Sequence, residues 1–285
     1  MADADSGSAA QDMLAPGLYV VATPIGNLRD VTLRALDVLR GADQILAEDT
    51  RQTGKLLSAF SIQTPLSAYH DHNAAKRVPA LIKRLKKGAT LALVSDAGTP
   101  LVSDPGFRLV RAAVEAEIDV YPVPGASAVL AGLVKSGLPS DRFFFAGFLP
   151  NRATARQREI ETLRQVPATL ILFETGPRIE ACLRDLAQGL GDRDAVLTRE
   201  LTKRYEEARH GTLSRLADAV AQDPPKGELV LLIKGPYATR WDGDVVREAL
   251  RDRLQTMKLK AACAELSDMS GWSKRELYAL GLSLK

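Results

Sequence analysis

Short apolar runs alternate with amphipathic stretches along most of the chain. The runs Gly17–Ala22, Leu91–Val94 and Val120–Val123 are rich in Val and Leu, and each is followed by a Gly- and Pro-containing segment. Stretches such as Leu33–Arg40 lie between such runs and carry apolar residues at helical spacing. Strands that alternate with helices in this way predict an α/β fold.

The stretch 91–108 reads LALVSDAGTPLVSDPGFR and combines an apolar strand, a loop rich in Asp, Gly and Pro, and the approach to a helix at Leu109–Glu117. Glycine lets the backbone approach a ligand closely, and proline stiffens the loop. Comparable Gly/Pro loops follow strands at 23–27 and 124–128. Open α/β sheets bind ligands outside the carboxyl ends of their strands, so the three loops predict one composite pocket at a switch point of the sheet.

The second half of the chain repeats the alternation and predicts a second α/β domain with a mixed sheet. Its predicted strands are Phe143–Phe148, Ala168–Phe173, Asp194–Thr198, Glu206–Gly211 and Glu228–Lys234. We therefore expect a disordered tail (1–15), an N-terminal α/β domain (16–138), a C-terminal α/β domain (139–237) and a helical extension (238–285).

The extension predicts helices alone, over 244–257, 260–268 and 274–284. The last two are separated by a turn that contains Gly271 and a capping Ser273. This order resembles a helix-turn-helix, although a small packing appendage fits the same pattern.

The composition is that of a soluble globular protein, with 285 residues, 46% hydrophobic and 26% charged. No apolar run approaches the roughly 20 residues that cross a bilayer, which predicts no membrane partner. The amino terminus also lacks the basic start and apolar core of a secretion signal. We expect a cytoplasmic protein, in which Cys182 and Cys263 are buried free thiols.

The net charge of +3 does not by itself indicate a nucleic-acid partner. The basic residues are clustered, however, at Lys76, Arg77, Lys83, Arg84, Lys86 and Lys87, at Arg152, Arg156, Arg158 and Arg164, and at Arg199, Lys203, Arg204 and Arg209. Such clusters fit a phosphate-backbone partner, and they also fit solvated helix faces.

Acidic residues and an arginine follow the predicted strand Gln44–Ala47 in the string Glu48-Asp49-Thr50-Arg51. At a strand's carboxyl end these side chains can contact a ligand, but the same string fits a helix cap with a local ion pair. His70 and His72 are expected to alternate along an extended segment. The three histidines lack Cys or carboxylate spacing, so no metal site is predicted.

Four strings carry a resemblance to a known family. They are Thr23-Pro24-Ile25-Gly26-Asn27-Leu28, Ala47-Glu48-Asp49-Thr50-Arg51, Ser95-Asp96-Ala97-Gly98-Thr99-Pro100 with Ser103-Asp104-Pro105-Gly106, and Pro124-Gly125-Ala126. Together they resemble the tetrapyrrole methylase superfamily, and the similarity runs from Leu18 to about Gly235. Tetrapyrrole enzymes commonly have Gly-Asp-Pro where this chain has Gly98-Thr99-Pro100, which favours a substrate other than a porphyrinoid.

The resemblance implies two α/β domains with an S-adenosyl-L-methionine cleft between them, usually in a homodimer. It implies transfer of a methyl group to the ribose 2′-oxygen of a cytidine in the decoding region of 16S rRNA, with the small ribosomal subunit as partner. By position, the implied cofactor-binding residues are Pro24, Ser95, Asp96, Ala97, Gly98, Thr99, Ser127, Ala128, Phe173 and Leu201.

Methyl transfer to a hydroxyl needs an in-line arrangement and a group that accepts the hydroxyl proton. The candidate bases at strand ends are Asp49, Asp96, Asp104, Glu174, Glu200 and Lys203. Of these we favour Asp49 and Asp104, with Arg51 placing a phosphate. Two alternatives stay open: a methyltransferase of the same fold that acts on a tetrapyrrole, another small molecule or a protein, and a catalytically silent RNA-binding factor.

Overall fold

The structure is a computed structural model that describes residues 14–236 and 241–284. The predicted tail over 1–15 falls almost entirely outside the described residues, as do positions 238–240 of the predicted extension.

A parallel five-stranded sheet forms the first half. Its strands are β1 (Gly17–Val21), β2 (Gln44–Ala47), β3 (Leu66–Ala68), β4 (Thr90–Val94) and β5 (Val120–Val123), in the order β3-β2-β4-β1-β5. The helices between them are α1 (Leu33–Gly41), α2 (Thr50–Ala59), α3 (Asp71–Leu85) and α4 (Phe107–Glu115). All five residues of β4 are buried, as expected for a parallel strand covered on both faces. The connection after β1 runs to β2 on one side of this pair, and the connection after β4 runs to β5 on the other side. The switch point therefore lies between the carboxyl ends of the neighbouring strands β4 and β1.

Side-chain caps define the starts of two helices. Helix α2 begins at Thr50, because the Asp49 side chain accepts the Arg51 backbone N–H at 2.8 Å and caps the helix. The expected extended segment at 70–72 is wrong: His70 is the N-cap residue of α3, and its N–H donates to the Asn73 side chain at 3.1 Å. His72 therefore lies in the first turn of that helix.

The second half forms a mixed sheet, as predicted. Its strands are β6 (Phe143–Phe148), β7 (Thr169–Thr175), β8 (Asp194–Arg199), β9 (Glu207–Thr212) and β10 (Glu228–Ile233), in the order β6-β7-β10-β8-β9. Only β6 and β7 pair in parallel, and the other pairs are antiparallel. Helices α6 (Ala153–Leu163), α7 (Gly176–Leu190) and α8 (Leu213–Gln222) cover one face of this sheet through a continuous apolar core.

Helix α5 (Ala128–Ser136) covers the other face and joins the two halves. Val129 and Leu133 of α5 pack with Val230 of β10 in one apolar cluster, which also includes Ile25 from the first half. A Cβ added to Gly132 would lie 3.2 Å from a Val230 methyl group, so the small residue allows the helix to approach the sheet closely. The predicted arrangement of two α/β units with a cleft between them is confirmed.

Three further helices, α9 (Gly243–Leu254), α10 (Leu259–Ser270) and α11 (Lys274–Ser283), enclose a small apolar core of their own. Gly271 ends α10 with a φ of 67°, a left-handed conformation that glycine adopts without strain. Ser273 then caps α11 and exchanges hydrogen bonds with Glu276. Among the described residues, no helix has both the length and the apolar character needed to span a membrane.

Candidate functional site

The loops after β1 and β4 are joined at the switch point. Thr23 and Gly98 form an isolated antiparallel bridge, with Thr23 N to Gly98 O at 2.8 Å and Gly98 N to Thr23 O at 3.0 Å. The Thr99 hydroxyl donates to the Ala126 carbonyl at 3.4 Å, which links the third loop to the other two. The composite pocket predicted from three separate Gly/Pro loops is therefore formed.

A cavity of about 210 Å³ lies beside this junction, between the two halves. It is lined by Ile25, Ala97, Gly98, Thr99, Val102, Ser103, Asp104, Ser127, Ala128, Val129, Phe148, Phe173, Glu174, Thr175, Leu201, Glu228, Leu229 and Val230. Seven of the predicted cofactor residues line it: Ala97, Gly98, Thr99, Ser127, Ala128, Phe173 and Leu201. We call this space the first cavity.

A second cavity of about 280 Å³ adjoins the first and shares Ile25, Ala97 and Glu228 with it. Its remaining lining residues are Thr23, Pro24, Gly26, Leu28, Gln52, Thr53, Lys55, Leu56, Ser95, Asp96 and Lys203. The other three predicted cofactor residues, Pro24, Ser95 and Asp96, line this second cavity. The sequence did not distinguish the two spaces, because one loop contributes to both.

The loop between β4 and α4 is held in an unusual backbone conformation. Leu101 and Ser103 have φ values of 74° and 65°, and left-handed conformations of this kind are strained for residues with a side chain. Gly106 follows at a φ of 139°, where a Cβ would lie 2.8 Å from side-chain atoms of both Leu93 and Leu101. With the loop in this conformation Asp104 lines the first cavity, and no apolar pattern in the sequence could have revealed the conformation.

Aromatic rings form one wall of the first cavity. Phe173 contacts Phe145 and Phe148 edge to face, with ring centroids 4.8 and 5.6 Å apart. The next residue on β7, Glu174, also lines the first cavity; it is buried, lies close to Cys182 and is 3.2 Å from the Arg178 guanidinium. The free, buried state predicted for Cys182 and Cys263 is confirmed.

The predicted catalytic pair Asp49 and Arg51 lines neither cavity. The Arg51 guanidinium donates two hydrogen bonds to the Asp49 carboxylate, at 2.8 and 3.1 Å. These hydrogen bonds, together with the capped backbone N–H, hold the pKa of Asp49 at about 2. The structure thus contains the helix cap with a local ion pair that the string also fitted, and the catalytic roles of both residues stay predictions.

Two other carboxyl groups at the strand ends have raised pKa values. Burial raises the pKa of Asp104 to about 6, with a smaller contribution from the negative charge of Asp96. Burial and then the charges of Asp104, Asp96, Asp71 and Asp49 raise the pKa of Glu48 to about 7. Groups with pKa values near neutrality suit proton transfer and mark functional sites. Sequence reasoning placed Glu48 in a string that can contact a ligand but did not select it as a candidate for proton transfer.

Lys203 extends from the second half across the second cavity. Burial opposes its charged form, but hydrogen bonds to Glu228 and Glu200, at 2.9 and 3.0 Å, outweigh burial and raise the pKa of Lys203. It is therefore a fixed cation rather than a proton acceptor. A Cβ added to Gly26 would lie 2.5 Å from Lys203 Cγ, so glycine at this position permits the contact between the halves.

The basic surface is smaller than the sequence suggests. Arg156, counted in a basic cluster, is buried and donates to Asp185 at 2.6 Å, and Arg209 is paired with Glu207 and Asp223. Several side chains of these clusters remain exposed without an ion pair in the described part of the chain: Lys76, Lys83, Arg84, Lys86, Lys87, Arg152, Arg158 and Arg204.

Comparison with known proteins identifies the class. Residues 17–217 match the family of Tetrapyrrole (Corrin/Porphyrin) Methylases, and residues 241–285 match the RsmI C-terminal HTH domain. The chain belongs to the tetrapyrrole methylase family, which confirms the resemblance inferred from its four strings. The helix-turn-helix interpretation of the extension is supported by the second match.

A particular group of relatives is similar over almost the whole chain. The Ribosomal RNA small subunit methyltransferase I of Mesorhizobium japonicum is 49% identical over 276 residues, which cover 95% of this chain and 93% of the relative. Among solved structures, diphthine synthase has a TM-score of 0.61 at 19% identity and covers 76% of this chain and 89% of its own. A uroporphyrin-III C-methyl transferase from Thermus thermophilus, complexed with S-adenyl homocysteine, has a TM-score of 0.52 at 20% identity. The similarity covers 76% of this chain and 96% of that structure.

Proposed function

We propose that this protein transfers a methyl group from S-adenosyl-L-methionine to the ribose 2′-oxygen of a cytidine in the decoding region of 16S rRNA. The observation that carries the proposal is the pair of adjoining cavities at the switch point, one apolar and aromatic, the other polar. Such a pair suits a cofactor and an acceptor held side by side. The relatives named as small-subunit rRNA methyltransferases supply the substrate class.

The first cavity fits the cofactor. Its aromatic wall at Phe173 suits an adenine ring, and Ser127 and Ala128 at the start of α5 present a helix N-terminus to an anionic carboxylate. Gly98 has a φ of 80°, and a Cβ there would lie 3.3 Å from Ile25 and narrow the space. The residues predicted for the cofactor are proposed to act from these two cavities, with Pro24, Ser95 and Asp96 at the boundary with the acceptor. When bound, the cofactor supplies an electrophilic methyl group on a sulfonium.

Asp104 is the proposed proton acceptor. It lines the first cavity, and its raised pKa of about 6 makes it a stronger base than an ordinary carboxylate while leaving it ionised at neutral pH. In the transfer, the oxygen–methyl bond forms as the sulfur–methyl bond breaks, and the hydroxyl proton passes to the carboxylate. Asp49 and Arg51 are proposed to act at the entrance to the site, with Arg51 directed to a phosphate, since its side chain is 87% exposed.

The exposed basic side chains and the C-terminal helices are proposed to bind rRNA phosphates, while the cleft performs the chemistry. Lys274 and Arg275 at the start of α11 are exposed. We further propose that the protein acts in the cytoplasm as a homodimer on the small ribosomal subunit.

The test is methyl transfer from labelled S-adenosyl-L-methionine to small subunits from a strain that lacks the protein, with the product mapped by nuclease digestion and mass spectrometry. A 2′-O-methylcytidine in the decoding region is expected. Absence of transfer to subunits or free rRNA, with the cofactor still bound, would contradict the proposal and favour a tetrapyrrole substrate or a silent binder.

A charge-reversal variant tests the role of the extension. In the same assay, K274E/R275E should raise the KM for subunits at least threefold, because repulsion replaces attraction to phosphates. Its far-UV circular dichroism and its affinity for S-adenosylhomocysteine should match those of the unmodified protein. Unchanged methylation by the folded variant would remove the extension from RNA binding.

A further inference from the structure

The second cavity contains a buried polar group that the fold leaves unsatisfied. Thr53 lies one turn into α2, its side chain lines the cavity, and the residue is 4% exposed. Its hydroxyl has no hydrogen-bond partner among the described residues. A buried hydroxyl without a partner is costly, and most such groups in proteins find one. The position of Thr53 therefore indicates that a ligand completes its hydrogen bonding.

The neighbouring side chains offer both donors and acceptors. Asp96 accepts the Asp49 backbone N–H through one carboxylate oxygen at 3.0 Å, and the residue is exposed at the cavity. Lys55 donates to the Gln52 side chain at 2.8 Å on the exposed surface of α2. The Asp96 carboxylate accepts hydrogen bonds, the Thr53 hydroxyl donates and accepts them, and the Lys55 ammonium donates them. This combination suits the edge of a nucleobase, which carries both donors and acceptors, better than an apolar ligand.

The walls of this cavity come from both halves of the chain. Pro24 and Gly26 form one side, α2 the opposite side, and Lys203 with Glu228 closes the space from the second half. Because Ile25 and Ala97 line both cavities, a ligand here lies directly against the occupant of the first cavity. The space of about 280 Å³ is of the size expected for one small ligand rather than a stack of bases.

We propose that the second cavity is the acceptor site and that it takes a single extruded pyrimidine nucleotide of the RNA, hydrogen-bonded by Thr53 and Asp96, with Lys55 at its phosphate. This assignment rests on the proposed function and extends it to named recognition residues. Asp96 suits an exocyclic amino group, the donor that distinguishes cytosine, since acidic side chains accept from this group in nucleic-acid recognition. Enzymes that modify a nucleotide draw it out of its stack into such a pocket.

The experiment compares Thr53→Val with the unmodified protein in the subunit methylation assay. Valine keeps the shape and removes the hydroxyl, so kcat/KM for subunits should fall about tenfold. The affinity for S-adenosylhomocysteine should not change, because Thr53 does not line the first cavity. The thermal midpoint should stay level or rise, because the variant loses no internal hydrogen bond. A matched control is Thr162→Val on α6, whose exposed hydroxyl donates to the Glu159 carbonyl at 2.7 Å, and which should methylate normally.

A second variant, Lys55→Met, alters an exposed side chain and leaves the core intact. It should raise the KM for subunits about threefold and weaken the dependence of KM on salt, as loss of one phosphate contact does. Normal kcat/KM in Thr53→Val, or a fall in its thermal midpoint and cofactor affinity together, would overturn the acceptor assignment. An unmodified protein that binds S-adenosylhomocysteine but methylates no RNA would instead overturn the proposed function itself.

Discussion

Substitution of Glu48 by glutamine should stabilise the protein at alkaline pH and have little effect at acidic pH. The folded state raises the pKa of Glu48 from about 4.5 to about 7 by burial and by the charges of four aspartates. Below pH 4.5 the group is protonated in both the folded and the unfolded state and contributes nothing to the difference. As the pH rises from about 4.5 to about 7, the unfolded state releases the proton before the folded state does, so the folded protein loses stability. Above about pH 7 this loss is constant.

The size of the effect follows from the pKa difference. For a fully shielded group, 1.36 kcal/mol for each pKa unit would give roughly 3 kcal/mol. The side chain of Glu48 is partly exposed, and solvent screening lowers this to about 1–2 kcal/mol. Glu48→Gln should therefore raise the thermal midpoint by roughly 2–6 °C at pH 8, using the usual conversion for chains of this size. At pH 5 the gain should be below about 0.5 kcal/mol.

The assay is thermal unfolding followed by circular dichroism at pH 5 and pH 8, in the same buffer ions. Glu115→Gln serves as the control, because Glu115 is an exposed residue of α4 paired with Arg111 at 2.8 Å. It should shift the midpoint little and by the same amount at both pH values. A midpoint for Glu48→Gln that falls at pH 8, or rises equally at both pH values, would show that Glu48 does not carry an unfavourable buried charge.

Two further predictions concern the acids and the loop that holds Lys203. Asp104→Asn should lower kcat for methyl transfer by about 10²–10⁴-fold, as loss of a general base does, whereas Asp49→Asn, which keeps a good helix cap, should lower kcat less than tenfold. Single-turnover rates measure both effects, and binding of S-adenosylhomocysteine is the control. A larger loss in Asp49→Asn than in Asp104→Asn would make Asp49 the base. Gly227→Ala should destabilise by about 2–3 kcal/mol in urea unfolding, because its φ is 91° and the new Cβ would lie 2.3 Å from Glu200 Oε1. Gly88→Ala is the control, because Gly88 has a φ of 86° and no atom lies within 4 Å of the new Cβ, so its loss of stability of about 1 kcal/mol comes from the backbone conformation alone. Equal losses of stability in the two variants would refute the contribution of the clash with Glu200.

The sequence predicted the elements well because their signals are local. The helix Leu33–Gly41 begins after Thr32, whose side chain accepts the Ala35 N–H at 3.1 Å, and the apolar run of β4 is buried along its whole length. The start of α2 was also predictable from the string Glu48-Asp49-Thr50-Arg51, which fits a helix cap, and Asp49 is the N-cap residue. The error at His70 was a choice between two local signals, an extended segment and a helix cap.

The candidate site was predictable only in outline. Three Gly/Pro loops after strands indicate a pocket, but the division into two cavities depends on Lys203, which is distant in sequence from Gly26 and contacts it only after the halves pack. The raised pKa of Glu48 likewise needs the ends of β2, β3 and β4 to meet, because its neighbours are Asp71, Asp96 and Asp104. Non-local packing of this type leaves no periodic trace in the sequence.

The distribution of charge explains how one chain can bind a polyanion and still activate a hydroxyl. Asp96 and Asp104 line the two cavities and their charges act on Glu48, so RNA phosphates placed here would be repelled and would raise the pKa values of Glu48 and Asp104 further. Most of the exposed cations, in contrast, lie on α3, on or next to α6 and at the start of α11, whereas Arg51 and Lys55 of α2 lie near these acids. In the proposed function, most of the affinity for phosphate can therefore come from the periphery, while only the proposed extruded nucleotide reaches the acidic cavities, with Lys55 at its phosphate. A uniformly basic cleft would bind RNA more tightly, but it would lower the pKa of Asp104 and so weaken the proposed base.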